Sequence, residues 1–248
     1  DLIQAHSYLD KAVTKGLEPA KGMIEAVFAD KGNSTELAPE FKEGIYEAFK
    51  SMCQDADKGI PAALHMKSMF RLSDDTDDFR FKRAVKEQEL ACQQDYVPAL
   101  YSLGTVYHRG NRIKGKEQEG LSMILRAAER EYIPALQYMM RVGPEKVYPI
   151  IKQISEKDDA EGEVFHMLSQ YYREGVVVDK DIDEFVKLLK KSAEKKFVDA
   201  FYDLGILYEF GKNGVKRDIS KAVEYYEQGL ALDDADCMIN LGCILETS

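Results

Sequence analysis

The strongest constraint on the fold is a spacing of residues that recurs along the chain. In AFYDLGILYEFG (200–211), Ala200 is followed at fixed distances by a Leu-Gly pair, a tyrosine and a second glycine. ALYSLGTVYHRG (99–110) has the same residue types at the same distances from Ala99. Similar segments at a fixed period are typical of helical-repeat arrays, in which each repeat buries its apolar face against its neighbours.

The same spacing, counted from a small or apolar anchor residue, marks seven positions in all. The anchors are Ala20, Ala62, Ala99, Ala135, Val164, Ala200 and Cys237. The steps between them are 42, 37, 36, 29, 36 and 37 residues. We therefore expect a single helical-repeat domain over 1–248, with a shortened unit at 135–163.

Each unit is predicted to consist of two helices, because apolar residues at the anchor and at the fourth and eighth positions after it form one helical stripe. A glycine inside a helix costs about 1 kcal/mol, so the recurring Gly104 and Gly205 indicate close approach of a neighbouring helix. The glycines in HRGN (108–111), REGV (173–176) and KNG (212–214) are predicted to end the first helix of their units.

The second helix of a unit is predicted to start near Asp181 or Asp218, since aspartate favours helix N-termini. Stacked pairs give an all-α chain of about 14 helices with essentially no strand. The last anchor opens a helix in which Leu241, Ile244 and Leu245 would lie on an open end. That pattern predicts a fragment of a longer array or protein.

Charge and hydropathy exclude two classes of partner. The formal net charge of -10 argues against a protein that binds the phosphate backbone of nucleic acids. No apolar run approaches the length of a transmembrane helix, so direct membrane insertion is not expected.

The four cysteines are Cys53, Cys92, Cys237 and Cys243, and they show no metal-ligand spacing. We interpret them as small buried hydrophobic residues in a reducing compartment. This favours a cytoplasmic location and leaves a secreted or periplasmic one open.

The motifs that approach catalytic or ligand-binding signatures are incomplete. GNRIKGKE (110–117) is close to a phosphate loop, but Glu117 stands where a magnesium-binding hydroxyl is required. DKDIDE (179–184) lacks the glycine and the final glutamate of a calcium loop. We therefore predict no catalytic residue, no metal site and no cofactor.

These motifs resemble the Sel-1-like repeat, a relative of the tetratricopeptide repeat. The resemblance is carried by Ala-x3-Leu-Gly-x2-Tyr-x2-Gly in both segments, and in the second also by Gly214, Val215, Asp218, Lys221 and Ala222. It is clear over 99–135 and 164–248 and weaker over 1–99, where the Leu-Gly pair is absent. The resemblance implies a right-handed α-solenoid of stacked antiparallel helix pairs.

The resemblance also implies a function. Members of the family are similar to adaptors that bind a protein or peptide in the concave groove of the superhelix. Residues at the second, sixth and ninth positions after the anchor would face that groove. They are Tyr101, Thr105, His108, His166, Gln170, Arg173, Tyr202, Ile206 and Glu209, with Gln137 and Arg141 from the short unit. The alternative is a regulatory or ligand-sensing repeat domain of a larger enzyme or signalling protein.

Overall fold

The computed structural model describes residues 51–72 and 78–246. These residues are all-α, as expected, and no strand occurs among them. They hold twelve α-helices rather than the 14 or so expected of the whole chain: eleven with both ends described and one seen over 51–57. Ala20 and most of the unit that it anchors lie outside the described residues.

The helices follow one another with short connections. They are α1 (51–57), α2 (Pro61–Leu72), α3 (Asp78–Gln93), α4 (Val97–Arg109), α5 (Glu117–Glu129), α6 (Ile133–Val142), α7 (Pro144–Ser155), α8 (Gly162–Glu174), α9 (Ile182–Glu194), α10 (Val198–Phe210), α11 (Ile219–Leu230) and α12 (Ala235–Glu246). The chain divides into two compact units, Asp1–Ala135 and Leu136–Ser248. That residues 1–248 form one repeat domain stays a prediction.

Within each unit the helices pair in sequence. In the first unit α2 packs on α3 and α4 on α5; in the second α8 packs on α9 and α10 on α11. The predicted anchors among the described residues are buried, each at most 3% exposed: Ala62, Ala99, Ala135, Val164, Ala200 and Cys237. Burying a small side chain at this position brings the paired backbones close together.

The glycine of the Leu-Gly pair has the packing role expected of it. A β-carbon at Gly104 would lie 2.9 Å from the carbonyl oxygen of Gly120 and 2.7 Å from Ile124 Cγ1. A β-carbon at Gly205 would overlap the ring of Tyr226. In both pairs, therefore, the second helix occupies the space that a side chain on the first would need.

Glycines end the first helices, as predicted. Gly110, Gly175 and Gly211 follow α4, α8 and α10 with left-handed φ angles of 62°, 70° and 62°. In the last case the helix stops just before the KNG segment, and Lys212–Gly214 forms a short 3-10 turn instead. Glycine adopts this conformation without the strain that a β-carbon brings.

Two aspartates cap the second helices. Asp181 Oδ1 accepts a hydrogen bond of 3.0 Å from the backbone N–H of Glu184, and Asp218 Oδ1 one of 3.2 Å from that of Lys221. Each satisfies a donor that would have no partner inside the helix. Both predicted helix starts are confirmed.

A second recurring turn, which the sequence reasoning did not predict, joins one helix pair to the next. Its central residue has φ between 56° and 80°: Gly59, Asp95, Glu131, Lys196 and Asp233. At one of these turns Phe197 N–H donates to the carbonyl of Ser192 at 3.2 Å, and Lys196 N–H to that of Ala193 at 2.8 Å. This bonding pattern is a Schellman helix end, which usually has glycine at its centre.

Two expectations about burial are wrong in part. Cys237 is buried, but Cys243 is exposed and Cys53 and Cys92 are only half-buried. Cys243 faces away from the core because it lies six residues after the buried Cys237 on the same helix. Leu241 and Ile244 join the core cluster instead of an open end, and of that trio only Leu245 is exposed.

Candidate binding surface

Polar side chains from three first helices of the second unit meet in one row. Gln137 Nε2 on α6 donates to Glu163 Oε1 on α8 at 2.6 Å. His166 Nε2 on α8 lies 3.0 Å from Asp203 Oδ2 on α10. With their neighbours these residues form the polar row: Gln137, Glu163, His166, Gln170, Asp199 and Asp203.

The helical period places these groups on one side of α8. Glu163, His166 and Gln170 are three and four residues apart, so they share a helix face. The Gln170 amide nitrogen lies 3.4 Å from His166 Nε2, in keeping with that geometry. The buried Val164 and Leu168 occupy a different side of the helix and hold it against the core. The polar face is therefore positioned by apolar packing behind it.

Rings at the second position after the anchor pack on the turn that follows. In the first unit the Tyr101 ring lies 5.6 Å from that of Tyr132. In the second unit the His166 ring lies 5.2 Å from that of Phe197. Tyr132 and Phe197 each come directly after the left-handed residue of a Schellman turn. The turn thus fixes the orientation of two residues predicted to face the groove.

Tyr202 is the equivalent residue in the next repeat, and its surroundings differ. The residue after the left-handed Asp233 is Asp234, which caps α12 by accepting a 2.6 Å hydrogen bond from Cys237 N–H. In the described residues Tyr202 has no ring partner, although it packs against the edge of the core cluster. The half-buried ring of Tyr202 lies beside Asp203 on the same helix and is partly exposed to solvent.

The acidic members of the row lie close enough to influence one another. Burial raises the pKa of the Glu163 carboxyl, and the charges of Glu161 and Asp199 add to the shift. The hydrogen bond from Gln137 and the nearby His166 partly offset it. Among the described residues, no lysine or arginine forms an ion pair with these three carboxylates. Glu163 and Asp199 therefore contribute negative charge to the row that no ion pair of the described residues neutralises.

Several predicted groove residues have other roles. Glu209 Oε2 accepts a 2.7 Å hydrogen bond from the hydroxyl of Tyr226, linking α10 to α11. Burial, reinforced by Glu209, raises the pKa of the Tyr226 hydroxyl. Thr105 Oγ1 donates to the carbonyl of Ser102 in its own helix at 2.8 Å. These contacts stabilise the helices and leave little of either polar group for a partner.

The remaining predicted residues are accessible but separate from the row. Arg173 pairs with the adjacent Glu174 at 3.2 Å, and the exposed Arg141 lies 5.6 Å from the ring of Tyr138. His108 and Ile206 are half-buried. The structure thus brings together Gln137, His166 and Gln170 from the predicted set. Whether the whole set lines a binding groove stays a prediction.

Sequence reasoning missed Glu163, Asp199 and Asp203. Glu163 and Asp199 each precede an anchor by one residue, and Asp203 follows one by three. The residue before the anchor projects near the second and sixth positions on a helix of 3.6 residues per turn, so the period could have revealed it. The aromatic residues of the turns were also visible in DYVPA (95–99), EYIPA (131–135) and KFVDA (196–200).

The described ranges lack two features of other protein classes. Within 51–72 and 78–246 there is no group of three or more His, Cys, Asp or Glu side chains that could hold a metal ion. None of the helices described is both long and apolar enough to cross a membrane.

Comparison with known families identifies the repeats. Three segments match the family model of the Sel1 repeat: residues 97–132, 166–197 and 198–234. The chain is a Sel1 repeat protein. The matched segments contain the pairs α4–α5, α8–α9 and α10–α11, with the first residues of α8 outside the second match. The matched family model is that of a repeat unit.

Solved structures of Sel1 repeat proteins share the fold. The Sel1 repeat protein from Oxalobacter formigenes is 21% identical, with a TM-score of 0.58 over 80% of this chain and 83% of that one. The protein c5321, a protective antigen of uropathogenic Escherichia coli with an SLR fold, is 20% identical, with a TM-score of 0.54. That match covers 80% of this chain and 44% of c5321. No protein of curated function matches this Sel1 repeat chain in sequence.

Proposed function

We propose that this Sel1 repeat chain is a non-catalytic scaffold, and that a protein or peptide segment binds along the polar row of the second unit. The observation that carries the proposal is the row itself, which spans α6, α8 and α10. Its side chains are held by hydrogen bonds between helices, at 2.6 Å for Gln137–Glu163 and 3.0 Å for His166–Asp203. A surface whose side chains are already ordered loses less conformational entropy when a partner binds.

The chemistry of the row suits recognition of a chain rather than of a small molecule. Amide, imidazole and carboxylate groups supply hydrogen-bond donors and acceptors at successive helices, and Tyr202 adds an aromatic surface. The acidic members Glu163 and Asp199 favour a partner segment with positive charge. The exposed Asp199 has no ion pair within the described residues, so its charge is available to a partner.

The His166–Asp203 pair could suggest acid–base catalysis, but the surrounding groups support a structural role. The other polar neighbour of the imidazole is the Gln170 amide, which is not a nucleophile. The nearby Ser169 hydroxyl donates to the main-chain carbonyl of His166 at 2.7 Å. A nucleophile must hydrogen-bond to its base, and Ser169 is engaged elsewhere.

The test compares two charge reversals. Asp199→Lys reverses a charge in the polar row, and Glu145→Lys reverses one in the first turn of α7, outside the row. Both residues are exposed near a helix N-terminus, so the loss of favourable interaction with the helix dipole is matched. Proteins captured from lysate of the source cells by the wild-type chain would be identified, purified and titrated by calorimetry.

The proposal expects Asp199→Lys to weaken the affinity for a purified partner by about tenfold and Glu145→Lys to have little effect. Equal affinity of the wild type and Asp199→Lys for every captured protein would contradict it. Tyr101→Ala is less suitable than Asp199→Lys for this test. The Tyr101 ring packs on Tyr132, so its removal would also lower the stability of the fold.

A further inference from the structure

We propose that a second surface, centred on α9, binds an acidic segment of a protein partner. An open groove of about 540 Å³ runs along this helix. We call it the lysine groove; its lining residues are Asp183, Val186, Lys187, Lys190, Lys191, Glu194, Tyr208 and Val215. None of them belongs to the polar row, so this proposal does not rest on the function proposed above.

The three lysines of the groove differ in their ion-pair partners. Lys187 is neutralised by Glu184, with 2.8 Å between the charged atoms. Lys190 and Lys191, by contrast, form no ion pair in the part of the chain that the structure describes. Two lysines that line the groove therefore have no ion-pair partner among the described residues.

Aromatic rings fix the positions of these ammonium groups. The Tyr208 ring centroid lies 6.0 Å from Lys190 Nζ and 5.3 Å from Lys221 Nζ. Tyr208 is itself held in place, because Tyr225 stacks on it at 5.7 Å with an interplanar angle of 10°. On the other side, Lys191 Nζ lies 5.5 Å from the Phe165 ring. Cation–π contacts of this kind orient a lysine without neutralising it.

The arrangement of charge and apolar surface defines the partner. The two acidic lining residues, Asp183 and Glu194, lie at opposite ends of α9, so the positive charge is concentrated in the middle of the groove. Val186 and Val215 supply apolar walls. The complementary ligand is a short segment with carboxylate side chains at its centre and an apolar residue beside them.

A protein segment fits this groove better than a free anion does. The volume of about 540 Å³ exceeds what a single phosphate or carboxylate needs, and the valine walls would be left wet by a small ion. Inorganic phosphate tests that distinction directly, because it carries the charge without the apolar part.

The experiment measures the fluorescence anisotropy of a labelled peptide of alternating glutamate and leucine, titrated with the full chain at low ionic strength. The test variant is Lys190→Gln/Lys191→Gln. The matched control is Lys146→Gln/Lys152→Gln, which removes two exposed lysines from α7 and changes the net charge equally. Circular dichroism confirms that both variants stay folded.

We expect the wild type and the α7 control to bind the peptide alike, and the α9 variant to bind about tenfold more weakly. Added salt should weaken the wild-type complex, since partly exposed charges are screened. Absence of wild-type binding would overturn the proposal, as would equal loss in both variants. Displacement of the peptide by inorganic phosphate at equal concentration would also overturn it, in favour of a small-anion site.

Discussion

The ring of Tyr226 in α11 lies directly over Gly205 in α10, in the space where a β-carbon would project. The ring is fully buried, and its hydroxyl reaches Glu209 on the same first helix at 2.7 Å. The large Tyr226 side chain of the second helix thus fills the space left by the missing side chain of Gly205 on the first. Changing either residue alone is expected to lower the free energy of unfolding.

Gly205→Ala should destabilise the second unit by about 2 kcal/mol, because the new methyl group overlaps a ring that cannot move freely. This loss exceeds the gain of about 1 kcal/mol that alanine normally brings to a helix. Gly242→Ala is the matched control: it has the same offset from its anchor but open space around it, so it should stabilise by up to about 1 kcal/mol. Urea denaturation measures the change in free energy of unfolding for both variants. A change of the same sign in both would refute this explanation.

Lys196→Gly should stabilise the protein by about 1 kcal/mol, because Lys196 sits at the centre of a Schellman turn with φ of 61°. For a chain of this size that corresponds to a rise in Tm of about 2–4 °C. Lys195, one residue earlier, has φ of -83°, where glycine gains nothing. Lys195→Gly should therefore lower Tm. If both variants shift Tm in the same direction, strain at this turn is not the cause.

Asp181→Ala should cost about 1 kcal/mol of stability, since it removes the acceptor for the Glu184 N–H at the start of α9. Asp181→Asn keeps a hydrogen-bond acceptor and should lower the stability by only a few tenths of about 1 kcal/mol. Asp183→Ala, two residues on, removes a charge in the same turn without removing the cap. Denaturation midpoints of the three variants distinguish capping from a general loss of negative charge.

Glu163→Gln should change the pH dependence of stability. The pKa of Glu163 is raised above its ordinary 4.5 in the folded chain. Its protonated form is therefore favoured by folding, and that contribution is present below the unfolded pKa and lost as the pH rises through the folded pKa. The glutamine variant does not titrate and can still accept the hydrogen bond from Gln137.

The variant should match the wild type near pH 4 and be more stable near pH 7 by about 0.5 kcal/mol, a value kept small because the carboxyl is partly exposed. Urea denaturation at both pH values provides the measurement. Glu227→Gln, on the exposed face of α11, serves as the control for the loss of one negative charge. A constant difference between wild type and Glu163→Gln at both pH values would argue against the raised pKa.

The repeat architecture could be predicted because the residues that determine it are local. Gly104 and Gly205 each mark a close helix contact, and their spacing from the anchors appears directly in the sequence. The caps Asp181 and Asp218 were predictable for the same reason, since a cap bonds to a backbone group three residues away. The sequence pattern alone is enough to predict such features, because each depends on residues only a few positions apart.

The polar row was harder to predict, because it depends on contacts between repeats. His166 and Asp203 are 37 residues apart in the sequence, and nothing in either segment identifies the other as its partner. The left-handed turns were missed for a different reason: four of the five have Asp, Glu or Lys where glycine is expected. Tertiary packing imposes that conformation against local preference.

The sequential packing of the helices also has an evolutionary consequence. Most of the described helices pack chiefly on the helices next to them in the chain, and Schellman turns of the same kind follow five of them. Insertion or loss of one complete period, which is 36 or 37 residues at four of the six steps, would bring together helix faces that already pack on one another in the array. Unequal recombination between repeats could thus lengthen or shorten the binding surface in whole increments, while point substitutions adjust the chemistry of each one.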